Sequence, residues 1–286
     1  MLASRRRGVV PPLPTGAELQ KLVDFLYRKT GMFFELSRHP FLEKRVQDQI
    51  GAAECDGFAE WFGRVRFDLD GLECQALINA ITVNESYFYR EEYQFKCMVT
   101  SILPEIASRK APGERIRIWS LPCATGEEPY SIGMYLLDHW SDADRFDIEI
   151  TGSDIDTDAL RRARGGRYEA RALQYLPAAV VAKYFQKVAP DTWQLGEALR
   201  SSVEFTTANI SEPTITSGGP VHDLVFCRNL LIYFDDISRR RAAEALYDCI
   251  RPGGFLCLGH SESMSRISSI FNVRVFKDAI VYQKPM

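Results

Sequence analysis

From about residue 112, strand-like and helix-like segments alternate, and this alternation limits the chain to few folds. Strands alternating with helices favour a mostly parallel sheet covered on both faces. The last two strand-like runs, Val273–Phe276 and Ile280–Tyr282, have no helix between them and predict an antiparallel hairpin at the sheet edge. The other predicted strands are Arg115–Trp119, Ile148–Gly152, Val203–Thr206, Leu224–Cys227 and Phe255–Leu258, and the predicted helices cover 128–139, a stretch from Thr157, and 237–250.

Residues 15–85 have the spacing of a small all-helical domain instead. Thr15 and Glu18 form a capping box ahead of apolar residues at helical spacing, and Gly31 is a stop signal. Further helices are expected near 40–51, 56–66 and 71–82, the last with a capping box of Asp70 and Glu73. The 286 residues therefore divide into a flexible tail over 1–14, a helical domain over 15–85, a linker helix over 86–111 and an α/β domain over 112–286.

The stretch from about 167 to 202 interrupts the alternation. It has a short predicted helix, Ala178–Phe185, and then a possible hairpin over Gln186–Leu195 with a short turn at Ala189-Pro190-Asp191. We interpret it as a small inserted β-subdomain.

The loop after the first predicted strand, residues 120–129, carries one glycine and two acids, Glu127 and Glu128, at a helix start. Two carboxylates would repel a pyrophosphate there, so a cationic or amine-bearing ligand fits better. Asp154 follows the second strand, where an acid commonly binds ribose hydroxyls. Together these features favour S-adenosylmethionine (SAM) over a dinucleotide. The alternative is that each glutamate only stabilises the helix dipole.

Five ordered stretches carry a more specific signal. They are Thr82–Glu91, Thr125–Ser131, Ser153–Asp156, Phe226–Phe234, and Arg251–Phe255 continuing to Gly259–Glu262. These stretches resemble motifs of the chemotaxis receptor methyltransferases, SAM-dependent enzymes that esterify glutamate side chains of chemoreceptors. The resemblance covers residues from about 16 to 283. It implies a Rossmann-like α/β methyltransferase sheet, an N-terminal all-helical domain and a small inserted antiparallel β-subdomain.

The resemblance also implies a site. Cofactor-binding positions would be Asn84, Ser86, Arg90, Glu128, Asp154, Asn209, Ile210, Arg228 and Asn229. Asp154 would hold the ribose and Asn209 would meet the adenine, although by itself Asn209 is more typical of a turn. There are two departures from the family pattern: Leu121-Pro122 replaces small residues, and Ser86 stands where threonine is common.

Arg90 and Tyr233 are the expected catalytic residues. A glutamate carboxylate is ionised at neutral pH, so no strong base is required and the enzyme must mainly orient it. Arg90 offers a forked donor and Tyr233 a single hydroxyl donor. The alternatives are a surface ion pair of Arg90 with Glu91 or Glu92, and a plain core role for Tyr233.

The expected partners are the cytoplasmic helices of membrane chemoreceptors. Arg38, Lys44 and Arg45 give the second helix a modest positive face. The predicted hairpin lacks glycine, so we expect no dependence on a receptor C-terminal tail peptide. The net charge of −3 disfavours nucleic acid, and no apolar run is long enough for membrane insertion. Seven cysteines without metal-ligand spacing indicate reduced thiols, a cytoplasmic location and no metal.

Other functions fit less well. Gly259–Ser263 resembles a nucleophile elbow, but the final glycine and a later histidine are missing. A dehydrogenase would need the absent glycine fingerprint. The non-enzymatic alternative is a signalling adaptor with a degenerate site, and Leu121-Pro122 is its best support.

Overall fold

A computed structural model describes residues 11–212, 215 and 221–286. Residues 1–10 of the expected tail over 1–14 lie outside the described residues. Residues 11–14 have no regular secondary structure. The chain divides into two compact units that meet in sequence between Val83 and Asn84. No helix among the described residues is both long enough and apolar enough to cross a membrane.

The N-terminal unit is helical and has its own core. Its elements are α1 (Gly16–Thr30), α2 (His39–Ala52), α3 (Phe58–Phe67) and α4 (Leu72–Ile81), with a short 3-10 turn before α2. Apolar side chains at helical spacing, among them Leu22, Leu42 and Trp61, are buried together. The capping box of Thr15 and Glu18 at the start of α1 is confirmed, and the helix ends at Gly31 with φ 72°.

The capping box predicted for Asp70 and Glu73 is wrong. The residue before α4 is Gly71, whose φ of 72° turns the chain into the helix without a side-chain cap. The carboxylate of Asp68 instead accepts the Glu73 N–H at 2.5 Å, because the turn brings this earlier aspartate back over the helix start.

The linker helix predicted over 86–111 is only partly right. Tyr89 and Glu91 have φ of 59° and 57°, a left-handed conformation that interrupts a helix. Helix therefore begins at Glu92. The segment comprises α5 (Glu92–Cys97), a π-helical turn (Met98–Ile102) and α6 (Leu103–Ala107).

Within residues 84–212 and 221–286, a seven-stranded sheet has the order β6-β2-β1-β7-β8-β10-β9. Its strands are β1 (Arg115–Ser120), β2 (Asp147–Asp154), β6 (Val203–Thr207), β7 (His222–Cys227), β8 (Ile250–Leu258), β9 (Asn272–Val275) and β10 (Ile280–Gln283). The first five are parallel to one another, and β10 and β9 close the sheet as the predicted antiparallel edge hairpin. The longest helices of this unit are α7 (Glu127–His139), α8 (Thr157–Gly165) and α12 (Asp236–Cys249). The Rossmann-like fold class is confirmed.

The insertion forms a separate small antiparallel sheet of order β3-β5-β4. The predicted hairpin is β4 (Phe185–Ala189) and β5 (Thr192–Leu195). A third strand, β3 (Arg167–Glu169), was not predicted, because three residues are too few for a periodic pattern. Helices α9 (Ala170–Leu173), α10 (Ala178–Tyr184) and α11 (Glu197–Arg200) complete it. Tyr168 on β3 is buried, with its ring centroid 4.8 Å from that of Phe88.

Candidate functional site

The predicted site residues lie mainly in loops at one edge of the large sheet. Because β1, β2, β6 and β7 are parallel, the loops that follow them leave the sheet on the same side. In open α/β sheets this edge is where ligands bind. Asp154 ends β2, Asn209 follows β6, and Arg228 and Asn229 follow β7.

The loop between β1 and α7 is tied to the neighbouring strands. Leu121 N–H donates to Phe226 O and Cys123 N–H to Ser153 O, both at 2.8 Å, and the Leu121–Pro122 peptide bond is cis. Gly126 ends the loop with φ 93°, and a Cβ there would lie 2.9 Å from Ala163 Cβ. Only glycine fits this turn, which brings the start of α7 to the sheet edge.

Asp154 joins this loop to the end of β2. Its carboxylate accepts the N–H of Ala124 at 2.8 Å and that of Asp156 at 2.9 Å. Burial raises the pKa of Asp154 to about 6, although these backbone hydrogen bonds oppose the rise. The Ile155 N–H donates a third hydrogen bond to this carboxylate. Since a carboxylate has roughly four acceptor positions, capacity remains for a ligand hydroxyl.

Asn84 and Ser86 lie in the extended segment that precedes the left-handed turn. Asn84 Nδ2 donates to Asp156 Oδ2 at 2.6 Å, and Asp156 also caps α8. A hydrogen bond from Ser86 acts on the carboxylate of Glu127. The segment is therefore connected to the loops after both β1 and β2.

The two acids at the start of α7 have different surroundings. Glu127 is buried, accepts a hydrogen bond from the Thr125 hydroxyl at 2.6 Å, and keeps Oε2 without a partner among the described atoms. Burial raises its pKa. Glu128 accepts the Ser120 hydroxyl at 2.8 Å and faces Arg228. Glu128 is therefore the acid that joins the charged part of the site.

Glu91, Glu128 and Arg228 form a buried group that we call the Arg228 cluster. Arg228 Nη1 lies 2.8 Å from Glu128 Oε2, and Nη2 lies 3.3 Å from Glu91 Oε2. Burial raises the pKa of Glu128, although Arg228 and Ser120 oppose the rise. Burial alone would raise the pKa of Glu91 too, but Arg228 and hydrogen bonds from His260 hold it below its usual value. With both carboxylates ionised, the cluster carries a formal charge of −1.

Arg228 also positions the backbone of Arg90. Its Nη2 donates to Arg90 O at 2.6 Å. The guanidinium predicted to bind the cofactor is thus occupied by two carboxylates and a carbonyl of the protein, and only 4% of Arg228 is exposed. The side chain orders the site.

Arg90 itself is half-buried and close to its own segment. Nη1 donates to Glu85 O at 2.9 Å, and the guanidinium carbon lies 5.6 Å from the centroid of the Tyr87 ring. Among the described residues it has no ion pair with Glu91 or Glu92, so these contacts give no support to the surface ion-pair alternative. Tyr233 ends a 3-10 turn, Leu231–Tyr233, directly after the β7 loop and is half-buried, which disfavours a plain core role.

Glu262 is a site residue whose importance the sequence did not reveal. Its carboxylate accepts the N–H groups of Asn229 and Leu231 at 2.8 Å and of Gly259 at 2.9 Å. Asn229 has φ 60°, and this anchor holds the β7 loop against the end of β8. An acid just after a buried strand and a glycine was the available signal.

Asn209 makes the local contacts of a turn residue. Its Oδ1 accepts Ser211 N–H at 3.0 Å, and its Nδ2 lies 3.3 Å from Glu212 Oε1. The turn role is therefore present, and the adenine contact stays a prediction. Ile210 beside it is buried. Within the part of the chain that the structure describes, no group of three or more His, Cys, Asp or Glu side chains could hold a metal ion.

Comparison with known proteins identifies the family of both units. Residues 84–279 match the family model "CheR methyltransferase, SAM binding domain", and residues 17–82 match "CheR methyltransferase, all-alpha domain". Chemotaxis protein methyltransferase 2 of Vibrio cholerae is 48% identical, over 95% of this chain and 94% of that protein. Chemotaxis protein methyltransferase 2 of Pseudomonas aeruginosa is 33% identical, over 90% of each chain. The chemotaxis protein methyltransferase of Salmonella typhimurium is 32% identical, over 90% of this chain and 88% of that protein.

Proposed function

The chain belongs to the CheR methyltransferase family, and on that premise we propose that it methylates glutamate side chains of chemoreceptors with SAM. The products would be glutamate methyl esters and S-adenosylhomocysteine. The observation that carries the proposal is the SAM-binding-domain match over 84–279, with acidic groups at the sheet edge. Methylation of receptors by such an enzyme serves adaptation to a constant signal.

The charge of the site supports a cationic cofactor. SAM carries a sulfonium, an ammonium and a carboxylate group, a net charge of +1. The Arg228 cluster carries −1, and Asp154 adds a further acid when ionised. Buried charge without full compensation is costly, so a cation bound nearby would be favoured. The negatively charged pyrophosphate of a dinucleotide would be repelled by these acidic groups.

Each residue then has a proposed role. Asp154 accepts the ribose hydroxyls, and Asn209 with Ile210 meets the adenine. Asn84, Ser86 and Arg90 lie over the cofactor, Glu128 is the candidate for its methionine end, and the Arg228-Asn229 pair completes the site. These assignments follow the matching motif positions, and the connections of Asn84 and Asp154 to the same loops are consistent with them.

The cofactor supplies an electrophilic methyl group, whose transfer to a carboxylate oxygen breaks the C–S bond and leaves a thioether and an ester, with no proton to move. Glutamate with a pKa of about 4.3 is already the reactive anion at neutral pH. The protein must align the carboxylate and exclude water. Arg90 and Tyr233 would orient it through hydrogen bonds, and Arg228 would fix the backbone of Arg90 for this task.

The proposed substrate is carried on the cytoplasmic helices of membrane chemoreceptors. We propose that binding does not require a receptor C-terminal tail peptide, because the turn between β4 and β5 is short and has no glycine. No role in nucleic-acid binding or direct membrane insertion is proposed.

The test is transfer of labelled methyl groups from SAM to receptor cytoplasmic fragments, with mass spectrometry of the labelled residues. Base-labile label on glutamates supports the proposal, and label elsewhere or none contradicts it. Thermal unfolding with SAM separates an enzyme from an adaptor: a ligand at a hundred times its dissociation constant adds about 2.7 kcal/mol to stability. An unchanged midpoint would favour the adaptor. Micromolar binding of an isolated receptor tail would contradict the tail-independent part.

A further inference from the structure

A surface patch beside Arg90 has contributions from the insertion. Arg171 on α9 lies 3.6 Å from the carboxylate of Glu85, and the Tyr175 ring centroid lies 4.8 Å from that of Tyr87. Arg90 completes the patch, since it bonds Glu85 O and covers the Tyr87 ring. We call these five residues the Arg171 rim. Phe88 N–H donates to Ala172 O at 2.9 Å and fixes α9 against this segment.

The rim is open to solvent where it extends beyond Arg90. The side chain of Arg171 is 79% exposed and that of Glu85 is 69% exposed. Tyr175 is 59% exposed, an unusual value for an aromatic ring that is already in contact with another ring. Tyrosine and arginine are enriched at protein interfaces, where they combine apolar area with polar contacts.

The charge of the rim is opposite to that of the whole chain. Two guanidinium groups face one carboxylate, in a protein of net charge −3. An exposed ion pair such as Arg171 with Glu85 contributes only about 0–1 kcal/mol. Arg171 can therefore exchange Glu85 for a carboxylate of a partner at little cost, and its long side chain can reach outward.

We infer that the Arg171 rim docks an acidic residue that flanks the methylated glutamate, about one helical turn away on the same receptor segment. The inference rests on the proposed function and adds to it a preference for substrates with a second carboxylate. Arg90 would hold the reacting carboxylate while Arg171 holds the flanking one. Receptor residues three or four positions apart lie on the same face of a helix. Two such carboxylates could therefore contact Arg90 and Arg171 at the same time.

The experiment measures methylation and direct binding of one receptor cytoplasmic fragment by the full chain. The variants are Arg171→Glu, Arg171→Gln and the matched control Arg240→Glu, an exposed arginine of α12. We expect KM for the fragment to rise about five- to thirtyfold in Arg171→Glu and less in Arg171→Gln, with kcat and SAM affinity within about twofold. The difference should shrink at high salt, because exposed charges are screened.

Charge reversal completes the test. A fragment whose flanking acid is changed to Lys should bind the wild type poorly and should bind Arg171→Glu better than it binds the wild type. A double-mutant cycle then gives the coupling between Arg171 and the flanking acid. Equal KM values for Arg171→Glu and Arg240→Glu would overturn the inference. If the wild type still methylates the fragment in that case, the proposed function is upheld. No methylation, with binding still weakened by Arg171→Glu, would overturn the proposed function and support the rim. Absence of both methylation and binding would overturn both.

Discussion

His222, buried at the start of β7, should make the second unit sensitive to acid. Its ring stacks on Trp119 with centroids 4.8 Å apart and planes at 19°. Only 6% of the residue is exposed, and Nδ1 has no hydrogen-bond partner among the described atoms. Burial lowers the pKa of His222 from its ordinary 6.5 to about 4, and the nearby charges of Arg117 and Arg251 act in the same direction against Asp223.

The direction and size of the effect follow from proton linkage. The unfolded chain binds the proton near pH 6.5 and the folded chain only near pH 4, so the unfolded state takes up more protons on acidification. The stability contributed by neutral His222 is thus fully present above pH 6.5 and is lost as the pH falls from 6.5 towards 4. Between pH 7.5 and pH 5 the loss in free energy of unfolding is about 2 kcal/mol.

Urea denaturation followed by far-UV circular dichroism at pH 7.5 and pH 5 measures this loss. His222→Phe keeps an aromatic ring against Trp119 and cannot titrate, so its pH-dependent loss should be about 2 kcal/mol smaller than that of the wild type. His139→Asn, which changes an exposed histidine of α7, is the control. Other titrating groups are common to all three proteins. Equal losses in the wild type and His222→Phe would refute the reasoning.

Three further outcomes are expected. Arg90→Ala should lower turnover about 100-fold or more, because the rate falls steeply when the reactants are misplaced. Calorimetry should give a SAM dissociation constant within about threefold of the wild-type value. Comparable losses in turnover and in SAM affinity would contradict a positioning role. SAM should bind about tenfold more weakly at pH 5 than at pH 8, because Asp154 has a pKa of about 6 and is mostly uncharged at pH 5. In calorimetric titrations, Asp154→Asn should flatten this pH dependence. Glu262→Gln should lower the free energy of unfolding in urea by about 1.5–3 kcal/mol, because its single acceptor oxygen leaves at least one backbone N–H without a partner. The exposed control Glu244→Gln should cost nothing measurable, and similar values for the two variants would argue against the anchor.

Long elements could be predicted from the sequence because burial on one or both faces leaves a periodic pattern. The parallel strands and α7 are of this kind. Short elements leave no such pattern. Strand β3 has three residues and depends on pairing with β5, and the left-handed backbone at Tyr89 and Glu91 is imposed by tertiary contacts on residue types that give no local signal.

Similar limits applied to the candidate site. The position of Asp154 and Glu128 at one edge of the sheet could be predicted because they follow strands β2 and β1. The importance of Glu91 and Glu262 could not, because it depends on groups far away in sequence: Glu91 pairs with His260 across 169 positions, and Glu262 accepts the Asn229 N–H across 33. The cap of α4 moved from Asp70 to Asp68 because a glycine with positive φ reshaped the turn.

The insertion is also part of the site's framework. The hydroxyl of Tyr168 donates to Thr125 O at 2.8 Å, so a strand of the inserted sheet supports the loop before α7. Exchanging residues 167–202 between relatives would change that support together with the docking surface proposed above. Chimeras should therefore keep Tyr168 and its ring contact with Phe88. Without these contacts, we expect an exchange to alter cofactor affinity as well as substrate choice.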